Sequence, residues 1–179
     1  MAIPDLLHRQ IEDDMWKWIG EFVTVRNEFY DNSFPPCPFA RGAVAAKTAD
    51  VRVWQSGNAR EFIRNGAIEM RDCPTLTTRV MAFPPRTQFM WGMSEYVESL
   101  NMELIPDNIF LNTGLAKTTT SRYPGPSTGP YFIVIANSLE AVLAGAERLM
   151  STNYYRNWPA EHYELVVERR QRMAQRYGS

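Results

Sequence analysis

The chain has 179 residues, 45% of them hydrophobic and 22% charged, which suits one folded domain with a proper core. Nineteen basic residues against twenty acidic ones leave a formal charge of −1, so there is no global field to gather nucleic acid or an anionic membrane. No stretch approaches the roughly 20 apolar residues of a membrane span, and a start that goes straight into a charged helical pattern lacks a secretory signal.

The first predicted element is a long helix from about Pro4 to Tyr30. Leu7, Ile11, Met15, Trp18, Phe22, Val25 and Phe29 recur at steps of three and four and form one face. Pro4 and Asp5 suit its start, because the ring fixes φ and the carboxylate meets the positive dipole end. Asp31-Asn32-Ser33 and the prolines beyond end it.

A loop follows, Phe34-Pro35-Pro36-Cys37-Pro38-Phe39-Ala40-Arg41-Gly42, stiffened by its three prolines. Val51–Trp54 alternates as a short strand, and Ser56-Gly57-Asn58 turns it into a helix carrying Phe62, Ile63, Ile68 and Met70. Leu76–Phe83 is a second strand, rich in β-branched residues. Pro84-Pro85-Arg86-Thr87 leads to a helix carrying Phe89, Met93, Tyr96, Val97 and Leu100. Asn108–Asn112 is a brief strand, and Thr113–Pro130 a long polar loop. Tyr131–Ala136 is almost wholly apolar and reads as a central strand covered on both faces. Asn137-Ser138 caps a helix through Met150, and a last helix spans about Ala160 to Arg176.

This alternation predicts an α/β fold, with α+β the alternative. The sheet is mixed or mainly parallel, with three to four strands, helices packed on it and one domain over residues 1–179. The two cysteines are too few for a disulfide scaffold, so a reducing, cytoplasmic setting is expected. Two histidines, His8 and His162, nearly exclude a multi-histidine metal centre, so no metal ligands are assigned.

Pro36-Cys37-Pro38-Phe39-Ala40-Arg41 resembles the signature of a bacterial family of unknown function, which carries a Cys-Pro-Phe-Ala segment after an N-terminal helix. The later order of strands and helices is similar in outline over most of the chain. That family has a histidine after its second strand, where this chain has Pro84-Pro85-Arg86, and others in the later strands that are missing here. The resemblance therefore implies a fold class and a candidate region, and no activity.

Three regions are candidate sites. Cys37 is a candidate nucleophile, with Arg41 four residues on as the cation that lowers its pKa; the alternative is that Cys37 and Phe39 plug the core beneath the first helix. Cys37 and Cys73 would approach as a redox pair or soft-metal site, or both belong to the core. The turns at Asn58, Arg86-Thr87 and Asn137-Ser138 would converge at one sheet end if their strands ran parallel, with Arg86 and Thr87 facing an anion. Arg122 and Tyr123 lie in the long Thr113–Pro130 loop, which reads either as a lid or binding element that brings Arg122 to Cys37 and Arg41, or as a disordered surface insertion. The Arg169-Arg170-Gln171-Arg172 run, interleaved with Glu161, Glu164 and Glu168, reads as a solvated face with ion pairs rather than a nucleic-acid surface. Tyr154-Tyr155-Arg156-Asn157-Trp158-Pro159 reads as core packing or a dimer contact.

No Walker loop, dinucleotide glycine pattern, nucleophile elbow or metal box is present, so the cofactor is left unknown. The expected ligand is an anionic metabolite, bound or turned over at Cys37, Arg41 and Arg122. The rival is a non-catalytic module that docks a protein partner or a second copy through its methionines and aromatics.

Overall fold

A computed structural model of the chain describes residues 3–85, 92–114 and 131–178. The predicted Phe89 anchor and most of the long loop fall outside them.

Helix α1 runs Asp5–Trp18 and continues as a π-helical turn over Ile19–Val23. Its fully buried residues are spaced by four: Ile11, Met15 and Ile19. They pack on Val51, Val53, Val80, Ala82 and Ile133, so this stripe lies against one face of the sheet. The predicted helix keeps its place but not its whole face. Val25 is exposed, because the helical path stops at Thr24 and resumes only as a 3-10 turn at Glu28–Tyr30. Asn27 caps that turn, its side chain accepting from the Phe29 N–H at 2.8 Å.

A short helix α2 (Ala40–Ala45) leads into β1 (Ala49–Val53), followed by α3 (Ala59–Arg71) and β2 (Thr78–Phe83). β1 and β2 are parallel, joined by α3. α4 (Met93–Leu104) and a 3-10 turn at Ile105–Asp107 precede β3 (Ile109–Gly114). β4 (Phe132–Ser138) pairs antiparallel with both β2 and β3, giving the order β1-β2-β4-β3. The sheet is mixed, with four strands, and the apolar run at residues 131–136 is central as its composition demands.

Period-two alternation sends side chains to both faces. Met81, Phe83, Leu111, Phe132, Val134 and Ala136 meet α3 and α4 on one side. On the other, Phe110 packs with α5 (Leu139–Met150) and α7 (Arg169–Tyr177), the latter reached through α6 (Ala160–Tyr163) and a π-helical turn at Glu164–Glu168. β3 is an edge strand, and its Leu111 is closed off by Asn101 of α4. The buried amide of Asn101 donates to the Leu111 carbonyl at 3.0 Å and accepts its N–H at 2.7 Å. An edge that would otherwise offer free backbone groups is thereby capped.

Arg79 of β2 is buried and fully paired. Its guanidinium reaches Asp50 at 2.8 and 2.9 Å, Glu69 at 3.0 Å and the Gly66 carbonyl at 2.8 Å, tying β1, α3 and β2 together. Among the described residues no helix is long and apolar enough to cross a membrane.

Candidate functional site

Strand direction decides which turns share an end of the sheet. Asn58 caps α3, accepting from the Arg60 N–H at 2.9 Å, and Ser138 caps α5, accepting from the Ala141 N–H at 3.3 Å. Both caps are as the residue types predict. They do not converge, however, because β4 runs opposite to β1 and β2 and places Ser138 at the far end. The expected crevice of three helix starts is therefore not formed. Arg86, Thr87, Arg122 and Tyr123 lie outside the described residues. The described neighbours of their segments, Pro85, Gly114 and Tyr131, are at the end of the sheet where β1 and β2 finish.

The Cys37 loop belongs to the other end. α1 starts where the Ile3 N–H bonds the Gln55 carbonyl and runs back along the sheet. The Cys37 N–H then bonds the Val23 carbonyl at 3.1 Å, and α2 follows at once. Phe39 lies against α5, where a side chain on Gly145 would come within 2.8 Å of its ring.

The loop is not merely packed; it is bonded to the aromatic segment that follows α5. The Tyr154 hydroxyl donates to the Pro36 carbonyl, and Asn157 donates to the Phe29 carbonyl at 2.7 Å. Tyr154 stacks on Tyr30 with centroids 4.7 Å apart and meets Phe34 and Tyr155 edge-on. Tyr155 in turn meets Trp158 and Tyr163 edge-on, at 5.0 and 5.2 Å. The segment read as core packing is thus a wall built against the Cys37 loop, and it buries Tyr30, Leu149 and Tyr154 together.

Cys37 is half-buried, and both cysteines are free. Burial pushes the Cys37 thiol up from its ordinary value, opposed in part by the Phe39 and Ala40 backbone N–H groups. Arg41 is exposed and is not among the groups that act on the thiol, so the expected lowering by Arg41 does not arise and desolvation sets the direction. Cys73 is exposed beside Thr75, 3.4 Å from its hydroxyl, and is not a core residue as expected. Among the described residues no group of three or more His, Cys, Asp or Glu is placed to hold a metal ion.

The residue that sequence reading missed is Arg170. The run around it does form ion pairs as expected: Arg169 with Glu98, and Arg172 with Glu164 at 3.2 Å and Glu168 at 3.6 Å. Arg170 does not belong with them. It is only 8% exposed, and its buried Nε has no hydrogen-bond partner among the described residues. The signal was present in the spacing. Tyr163, Val167, Arg170, Ala174 and Tyr177 follow steps of four, three, four and three, which puts Arg170 on the buried stripe of the last helix.

Tyr155 joins these parts. Its phenol lies within electrostatic reach of Arg170, Tyr163, Tyr30 and Cys37. Burial pushes it up to about 12, although Arg170 pulls the other way. Burial likewise pushes the Arg170 guanidinium below its ordinary range. Tyr155 thus belongs to the aromatic segment bonded to the Cys37 loop, edge-on to Tyr154, Trp158 and Tyr163. Comparison with known protein families, with characterised proteins and with solved structures finds no match to this chain.

Proposed function

We propose that this chain is an enzyme or binding protein for a small anionic metabolite, with its site at the Cys37-Pro38-Phe39-Ala40-Arg41 loop. The observation that carries the reading is the aromatic segment bonded to the Cys37 loop, with Tyr154 donating to the Pro36 carbonyl and stacked on Tyr30, and Tyr155 edge-on to Tyr154 and Tyr163. Pockets for small molecules pair aromatic walls with a few polar groups of this kind. The thiol is protonated near neutral pH, since burial raises it. In the resting protein Cys37 is thus a neutral wall of the site, and it becomes a nucleophile only if a bound ligand or its own chemistry removes the proton. Arg41, at the exposed rim of the same loop, would serve ligand approach, whereas the described neighbours of the Arg86-Thr87 and Arg122-Tyr123 segments lie at the opposite end of the sheet and leave those segments out of this site.

The test is protection of Cys37 from iodoacetamide during a screen of small metabolites at pH 8, with mass spectrometry of both cysteines. A ligand of this site slows Cys37 and leaves the exposed Cys73 unchanged. A screen in which no anion slows Cys37 contradicts the reading.

A second reading, a non-catalytic module that docks a protein partner or a second copy, has one observation in its favour. An open groove of about 660 Å³ lies between α5, α7 and the turn at Ile105–Asp107, with Leu139, Leu143 and Met150 in its lining. Light scattering with a single monomeric mass, unchanged when Leu143 is replaced by Glu, would remove self-association from consideration.

A further inference from the structure

The open groove of about 660 Å³ beside α5 is apolar along its length and acidic on one wall. α5 has twelve residues and is roughly 16 Å long at about 1.5 Å per residue. Leu139, Leu143 and Met150 follow steps of four and seven, so they fall on one stripe, and all three line the groove. Ile105 of the 3-10 turn and Ala174 of α7 complete the apolar lining. Met150 is 44% exposed at the end of the stripe, a large apolar side chain that the fold itself does not cover. A stripe three turns long matches one amphipathic helix, which lays its apolar face into such a groove through anchors at i, i+3 or i+4 and i+7.

The charges in the lining are of one sign. Glu140 and Glu147 line the groove beside the stripe, seven residues apart and therefore on one side of α5. No lysine or arginine lines it among the described residues. The exposed arginines of the two helices are committed elsewhere. Arg148 lies over the Phe39 ring at 5.6 Å and donates to the Ala144 carbonyl. Arg172 pairs with Glu164 and Glu168, and Arg176 lies over the Tyr177 ring at 5.3 Å. Other helical glutamates have their cations, Glu98 in Arg169 and Glu103 in Arg64. Glu140 and Glu147 have no ion pair among the described residues, and both are exposed.

We propose that this groove receives a basic amphipathic helix of a partner protein, its leucine-like face on the α5 stripe and its lysines or arginines opposite Glu140 and Glu147. The proposal rests on the docking reading above, to which it gives an occupant, and is independent of the Cys37 site. Charge complementarity selects the partner. An acidic or neutral helix would leave both carboxylates facing it uncompensated, whereas two cations about two turns apart meet both. A second copy does not offer such a helix in α7, the arginine-rich one, because Met173, Ala174 and Tyr177 are already packed with Phe110 and Leu139.

The experiment titrates the full chain with a synthetic peptide of leucine and lysine, roughly 18 residues long so that it forms a helix, with leucines at helical spacing. A peptide with the same leucines and glutamate in place of lysine is the control. Affinity is read by fluorescence anisotropy, and two-dimensional NMR of the chain locates the contact. The lysine peptide is expected to bind, to shift the amide resonances of α5 and α7, and to weaken as salt is raised, while the glutamate peptide does not bind. Glu140→Gln/Glu147→Gln should weaken it by about three- to thirtyfold, and Met150→Glu by about tenfold or more. All three positions are exposed, so these variants fold. The proposal is overturned if the lysine peptide does not bind, if the glutamate peptide binds as tightly, or if either variant leaves the affinity unchanged. Light scattering separates this outcome from failure of the docking reading. Self-association that Met150→Glu abolishes, without peptide binding, puts a second copy in the groove and removes the basic partner. A monomer that binds neither peptide removes both.

Discussion

Replacing Tyr154 by Phe removes one oxygen and leaves the ring. The stacking on Tyr30 at 4.7 Å and the edge contacts with Phe34 and Tyr155 depend only on the ring, so the aromatic wall persists. What is lost includes the hydroxyl's bond to the Pro36 carbonyl, the side-chain tie next to Cys37, and its contact with the Tyr30 hydroxyl at 3.5 Å. Leaving such a part-buried carbonyl without its donor costs about 1–3 kcal/mol. That cost falls on opening of the loop, because the sheet and its helices do not share the bond. At about 1.4 kcal/mol per factor of ten, the open population rises by roughly five- to a hundredfold. Iodoacetamide labelling followed by mass spectrometry reads this directly, and the exposed Cys73 serves as the internal control. In Tyr154→Phe the Cys37 rate rises within that range while Cys73 is unchanged. An unchanged Cys37 rate would show that the hydroxyl does not hold the loop. A common acceleration of both cysteines would mean that the whole fold had loosened.

Asn101→Ala strips two buried hydrogen bonds from the edge strand at Leu111; it should lower stability in urea unfolding by about 2–5 kcal/mol and promote aggregation. Gly66→Ala and Gly145→Ala should differ. A side chain at Gly66 would come within 2.6 Å of the Met81 sulfur in the closed core, a loss of about 1–3 kcal/mol. At Gly145 the obstacle is the ring of the exposed Phe39, which can swing away, so thermal stability should change by less than about 1 kcal/mol. Tyr155 and Tyr131 are both pushed up to about 12, first by burial and, for Tyr131, also by the hydrogen bond it donates to Asp14. An unfolded phenol ionises near 10. The unfolded chain therefore loses these protons first, and stability that is complete below about pH 10 falls as the pH rises towards 12. Urea midpoints measured from pH 9 to 11 should drop, and drop less in Tyr155→Phe.

Much of the architecture is legible in local pattern. The apolar run at residues 131–136 can only be a central strand, and Asn58 and Ser138 cap the helices their residue types predict. Strand direction is another matter. The helix between β1 and β2 makes a parallel crossover, while the one between β2 and β3 does not lead to a neighbouring strand at all. Nothing in either helix announces that difference, since both carry similar apolar stripes. The candidate site was half legible. Cys37 stands out by its prolines, but the wall against its loop comes from Tyr154 and Tyr155, more than a hundred residues later. Arg170 sits in a charged run whose other members behave as solvated ion pairs. Only the heptad-like spacing through Tyr163 and Tyr177 separates it from them.

Whether the Cys37 loop accepts a small anion is tested most directly with two alkylating agents of similar size, anionic iodoacetate and neutral iodoacetamide, at both cysteines of the parent and of Arg41→Ala. Iodoacetate should be favoured at Cys37 relative to the exposed Cys73 in the parent, and the preference should fall in the variant. Equal reagent ratios at the two cysteines of the parent would contradict an anion site at this loop.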